Sequence, residues 1–197
     1  MNTRNIILAT AAMSAAVMFA PAASADPAFE TAPVDQSQLP GQLLHHPLAI
    51  KWDPVGNNKT VSIVESEGVP GGQAISFRVK RKNSRKPWEI RMRAPFDANV
   101  VAGDQIEIYF WARAEQIPRG KDTGHISVVL GRNVEPYDTV IDQEIMPSAD
   151  WKMYRVSGTA GVDFPSSEAD MGFNFGAAKQ TIELGPFYAI KAHQSED

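Results

Sequence analysis

The sequence predicts an all-β fold, an antiparallel β-sandwich of the jelly-roll kind with about ten strands, and three observations carry that prediction. Short runs alternate apolar with polar residues, turn-forming pairs separate the runs, and no segment sustains the three-four spacing of an amphipathic helix. The alternating runs are Val61-Ser62-Ile63, Ile75-Ser76-Phe77-Arg78-Val79, Ile90-Arg91-Met92, Ile106-Glu107-Ile108-Tyr109-Phe110, Ile126-Ser127-Val128 and Ile182-Glu183-Leu184. Between and beside them stand Gly71-Gly72, Asn83-Ser84, Gly103-Asp104, Arg119-Gly120, Glu135-Pro136 and Gly185-Pro186, each read as a turn.

The two ends read differently from this middle. Arg4 precedes an apolar run from Ile6 to Ala20, and Ala23-Ser24-Ala25 offers a small-x-small cleavage site, so residues 1–25 are expected to be a signal peptide removed before Asp26. The run is shorter than the ~20 residues of a spanning helix and Pro21 breaks it, so no membrane span is expected there or later. Residues 26–40 hold three prolines and no hydrophobic period and read as a flexible linker. The folded domain is placed at 41–192 and a polar tail at 193–197. These features point to a periplasmic or secreted protein. It has no cysteine, so no disulfide staples the fold and the core alone must hold it. The formal charge of -4 becomes -5 once Arg4 is lost with residues 1–25, which contain no acid. Such a chain is a poor partner for nucleic acid.

Period-two parity then divides the side chains. Along 104–114, Ile106, Ile108, Phe110 and Ala112 form the core set, which leaves Glu107, Tyr109, Trp111 and Arg113 facing outward. Two large aromatics beside charges on an open face are what a sugar-stacking surface requires; the alternative is that a loop covers them. In 88–94, Ile90 and Met92 point inward and Glu89, Arg91 and Arg93 outward, and Trp88 shares the inward parity and is expected to pack. In 169–177, Phe173 and Phe175 are core, and Asp170, Gly172 and Asn174 face out. Tyr154 and Val156 read as core and Trp151 as a plug at the start of its strand.

Taken in order, several segments resemble the jelly-roll carbohydrate-binding modules of the family four, nine and twenty-two superfamily, of the type that accompanies xylanases. They are Lys86-Pro87-Trp88-Glu89-Ile90, Gly103 to Ala114, Ala149 to Tyr154, Phe173-Asn174-Phe175-Gly176 and Gln180 to Gly185, which together span most of 72–192. The resemblance implies a shallow cleft on a concave sheet, with Trp111 as the stacking platform and Tyr109, Arg91 and Asn174 beside it, and the outward-facing Glu89 and Arg113 complete the expected site. It implies non-catalytic binding of a plant- or algal-type polysaccharide. Gly185-Pro186-Phe187-Tyr188 stands where many members carry acids that hold a structural calcium, which argues against that ion; no other cofactor is expected. Such modules are usually appended to an enzyme and this chain has no room for one, so glycan hydrolases acting in trans are the expected companions.

An envelope protein could use the same aromatic face for adhesion to another protein. Catalysis lacks a nucleophile elbow, a cysteine and a His-Glu-x-x-His motif. Glycoside hydrolysis would need two of the outward acids Glu89, Glu107 and Asp170 to converge across one bond. His45 and His46 are adjacent, so on a strand they face opposite ways and cannot share a metal; His125 and His193 are isolated. Arg78, Lys80, Arg81, Lys82, Arg85 and Lys86 form a basic stretch, read as a solvated edge or, more sharply, as a patch for acidic polysaccharide.

Overall fold

A computed structural model describes residues 41–45, 52–96 and 98–192. The expected signal peptide, linker and tail lie outside the described residues, as do His46 and His193. Among the described residues, eleven strands form two antiparallel sheets, in agreement with the predicted sandwich. Sheet A has the order β3 (Lys59–Glu65), β4 (Gln73–Val79), β11 (Thr181–Ala192), β6 (Gln105–Gln116) and β9 (Lys152–Thr159), and β1 (Gly41–Leu43) pairs with the end of β11. Sheet B has the order β2 (Asp53–Val55), β5 (Arg91–Pro95), β10 (Ala169–Asn174), β7 (Ile126–Arg132) and β8 (Thr139–Ile145).

The inward parity sets meet between the sheets. Ile106, Ile108, Phe110, Ala112 and Ala114 of β6 face Met92, Ala94, Ile126, Val128, Leu130, Met171 and Phe173 of sheet B, all buried. Phe173 centres an aromatic cluster, 5.0 Å from Phe110 and 6.0 Å from Phe187, and Trp52 closes it at 5.0 Å from Phe187. Each such edge or tilted ring pair adds about 1 kcal/mol beyond the area it buries. His45 is a packing residue here: its ring stacks 4.5 Å from Phe187 and Nε2 accepts a hydrogen bond from the Ala189 amide.

Two elements depart from the sequence reading. Gly185-Pro186 is no turn. It lies inside β11, where the register against β6 shifts between Leu184 and Phe187. The bulge explains how a proline is tolerated in a central strand, and its extra residue resets parity so that Ile182 and Leu184, then Phe187 and Ala189, all point into the core. The sequence also showed no alternating run for β8. A register shift between Leu130 and Gly131 interrupts its pairing with β7, so the apolar residues Val140, Ile141 and Ile145 do not fall on one parity.

Candidate functional site

The outward face of sheet B is a groove of about 870 Å³. Strand register lays its side chains out in rows. One row runs Val55, Arg91, Asn174, Ser127, Glu144; the next runs Asp53, Arg93, Gly172, Val129, Asp142; the last includes Asp170, Gly131 and Thr139. Gly172 and Gly131 keep the middle low, since neither carries a side chain. A Cβ on Gly172 would meet the Arg91 guanidinium at 3.1 Å, which shows how closely that arginine lies across the floor.

Polar groups of the floor are tied to one another. Asp170, only 9% exposed at its side chain, takes Arg91 Nη2 and Arg93 Nε at 2.6 Å each, although the Arg93 N–H is not aimed well enough to count as a hydrogen bond. Asn174 Nδ2 donates to Ser127 Oγ at 3.3 Å, while its buried Oδ1 has no partner among the described residues. At the Tyr137 end, Arg132 is gripped by Glu168 at 2.7 Å and Asp138 at 3.1 Å, bonds that push its guanidinium further toward the charged form. His125 Nε2 stands 3.3 Å from Glu144. The arginine–carboxylate pairs at Asp170 and at Arg132 fix those side chains before any ligand arrives.

Two aromatic rings rise from diagonally opposite corners. Trp88 precedes β5 and is 53% exposed; Tyr137 precedes β8 at the other end of the rows and is 60% exposed. Three strand spacings by about four residues puts these corners roughly 20 Å apart. Trp88 corrects the sequence reading. Its inward parity assumed a strand, but Pro87–Glu89 is a 3-10 turn, and parity has no meaning there. The turn is pinned from below: Phe175 N donates to Ile90 O at 2.9 Å, Gly176 N to Pro87 O at 3.2 Å, and Asn83 N to Gly176 O at 2.8 Å. Only a glycine fits at 176, because a Cβ would come 2.5 Å from the Pro87 carbonyl oxygen. No sequence pattern points to Tyr137, which sits in the β7–β8 connection with φ +57°, away from any alternating run.

The six residues expected to form one cleft fall on separate surfaces. Arg91 and Asn174 line the groove. Glu89 sits at its edge, held by Lys86 at 3.3 Å and by the Asn83 amide at 2.8 Å, and lines a neighbouring hollow with Val55 and Gly56. Trp111, Tyr109 and Arg113 face outward as parity required, but from sheet A, on the far side of the sandwich. The arrangement with Trp111 as platform beside Arg91 and Asn174 therefore does not occur. Alternation along a strand tells inward from outward; it does not say which of two sheets a strand joins.

Nor do Tyr109 and Trp111 form an open platform. The Tyr109 hydroxyl donates to Glu107, Arg155 binds the same carboxylate, and the Arg155 guanidinium lies 5.9 Å from the Tyr109 ring centre. Those hydrogen bonds, the one from Arg155 first, hold the Glu107 carboxyl below its ordinary range, and the bond to Glu107 pushes the Tyr109 phenol up. Beside Trp111 the β3–β4 loop folds down, so that Val69 is buried and a Cβ on Gly185 would strike Val69 Cγ2 at 2.4 Å and Trp111 Cβ at 3.0 Å. Trp151 engages the remaining outward residue: its Nε1 donates to Ser66 Oγ at 3.1 Å and its ring lies 5.1 Å from the Arg113 guanidinium, which pairs with Glu183 at 2.7 Å. Glu107 thus stands on sheet A, Asp170 on the groove floor and Glu89 at the groove's edge, and these three carboxylates do not converge as a glycosidase would need.

The two sheets and the groove define an antiparallel β-sandwich of the jelly-roll kind, the fold that the sequence resemblance implied. No protein-family model matches the chain, and no curated protein sequence matches it. Solved structures do. The second N-terminal cellulose-binding domain of a Cellulomonas fimi β-1,4-glucanase C aligns over 79% of this chain and 94% of its own, at TM-score 0.55 and 16% identity. A family four carbohydrate-binding module aligns over 71% and 86%, at TM-score 0.51 and 17% identity. A protein described as sugar-binding, from Bacteroides thetaiotaomicron, aligns over 72% and 87% at TM-score 0.51 and 10% identity. At these identities the likeness is one of fold. Among the described residues no three metal-ligating side chains cluster, and no helix is long and apolar enough to cross a membrane.

Proposed function

We propose that the protein binds a polysaccharide without cleaving it, in the groove on sheet B, with Trp88 and Tyr137 stacking on sugar rings and the arginine-amide floor meeting hydroxyls. The observation that carries this reading is the pair of exposed aromatics at the two ends of a preformed polar groove. Covering ~50 Å² of a sugar's apolar face on one ring is worth about 1.3 kcal/mol. A few net hydrogen bonds of about 1 kcal/mol each add to this, and immobilising the chain subtracts from it. Dissociation constants between roughly micromolar and millimolar follow. The module-like structural neighbours favour the same reading. The engagement of Asp170 by two arginines favours binding over catalysis, since a carboxylate so held is poorly placed to exchange a proton with substrate. We further propose export through residues 1–25 and action in trans beside glycan hydrolases.

Affinity electrophoresis of the full chain through gels containing xylan, mixed-linkage glucan, alginate or pectin tests the proposal. Retardation should be lost in Trp88→Ala and weakened in Tyr137→Ala, with melting temperatures close to the parent because both rings are largely exposed. Retardation on no glycan would overturn it in favour of a protein partner. Release of reducing sugar, abolished by Asp170→Asn, would overturn it in favour of an enzyme.

A further inference from the structure

The groove does not stop at Trp88. At the end of sheet B where Arg91, Asn174, Ser127 and Glu144 lie, it shares His125 and Ala177 with a second cavity of about 700 Å³. Lys82, Arg119, Lys121 and Lys179 line that cavity, and no aspartate or glutamate does. These four cations come from three separate connections: the one leading to the Pro87–Glu89 turn, β6–β7 and β10–β11. All four are exposed, and none makes an ion pair with a described residue. Of the other described cations, Lys86, Arg91, Arg93, Arg113, Arg132, Arg155 and Lys191 are paired with acids, whereas this cavity gathers four that are not. In a chain of net charge -4, four unpaired cations converging on an acid-free hollow make a local field opposite in sign to the whole.

We infer that this cavity is an extension of the groove that takes the anionic groups of an acidic polysaccharide, as uronate carboxylates or sulfate esters. The inference rests on the proposed glycan groove and adds the class of glycan. A chain leaving the groove at the Trp88 end passes His125 and meets the four cations, while Ile117, Pro118 and Met146 supply apolar surface for ring faces. The groove itself has Asp142 and Glu144 along β8, which disfavour anions at that edge; the charged groups of the glycan are therefore received in the cavity. Of the basic stretch noted in the sequence, only Lys82 takes part in the cavity, and folding supplies the rest.

The test compares the full chain on gels containing polygalacturonate, its methyl ester, alginate, carrageenan, xylan and mixed-linkage glucan, each against a blank gel. Expected is stronger retardation on at least one anionic gel than on any neutral one, weakened by added NaCl. The exposed double variant Lys121→Gln/Lys179→Gln should lose about tenfold in affinity there, at about 1 kcal/mol or less per charge, with neutral-gel retardation unchanged. Trp88→Ala should weaken anionic binding too. Retention on neutral gels with none on anionic gels would overturn the cavity and leave the groove standing; retention on no gel would overturn both. Anionic retention untouched by the double variant would overturn the cavity. So would equal competition by single-stranded DNA or polyglutamate together with indifference to Trp88→Ala, since that marks a general polyanion patch. Carrageenan against polygalacturonate distinguishes sulfate from carboxylate.

Discussion

Trp88 and Trp111 show how differently one residue type can be used. Trp88 stands on a short turn with half its surface in water, whereas Trp111 is half-buried beside Gly185 on the opposite sheet. Trp111→Ala should therefore lower unfolding free energy by about 1–3 kcal/mol, less than a fully buried ring, and leave glycan retardation unchanged; urea titration beside affinity electrophoresis reads both. Glu107 carries a pH signature. Its carboxyl ionises more readily in the folded chain than at the ordinary value of 4.5, because Arg155 and Tyr109 donate to it. That contribution is fully present above the unfolded value and disappears as pH falls through the lower folded value. The stability difference between parent and Glu107→Gln should thus hold steady above about pH 5 and shrink below 4.5. A difference constant to pH 3 in urea titrations would contradict this cluster. Tyr109 has the opposite sign: its phenol is raised, so its share is present below the ordinary value of 10.0 and lost as pH climbs past the folded one.

At the scale of elements, the Pro87–Glu89 turn is held by backbone bonds to Phe175 and Gly176, and this fixes the ring of Trp88 before a ligand arrives. A preformed ring loses less freedom on binding than a mobile one. Gly176→Ala puts a methyl 2.5 Å from the Pro87 carbonyl oxygen, so the turn must lift. Retardation on glycan gels should fall severalfold while the Trp88 side chain itself is intact, and an unchanged retardation would show that the turn adjusts freely. Regular strands such as β6 were legible because every second residue was apolar for five positions, Ile106 through Ala114. The β11 bulge and β8 were not, since one extra residue or a shifted register breaks the period that alternation arguments depend on. Gly185-Pro186 reads as a turn by composition alone; only the pairing of both flanks with β6 shows the strand continuing.

For the whole molecule, export is the prediction that the N-terminal sequence makes most sharply. Expressed with residues 1–25 in place, the protein should be recovered from the periplasm or medium with the mass of a chain beginning at Asp26. A full-length mass in the cytosolic fraction would refute it. The sequence by itself determined the sandwich, since period-two burial and turn chemistry are local and each strand declares its inward face. It determined that Arg91 and Asn174 face outward, and likewise Tyr109 and Trp111. Tertiary structure alone decided which of these share a surface, because sheet membership depends on long-range pairing that no local pattern encodes. It placed β6 in sheet A and β5 with β10 in sheet B, with Trp88 and Tyr137 at the corners of the groove, and gathered four cations from three connections at one end. Those residues lie on turns and loops, where side-chain direction is set by the packing beneath and not by any repeat in the chain.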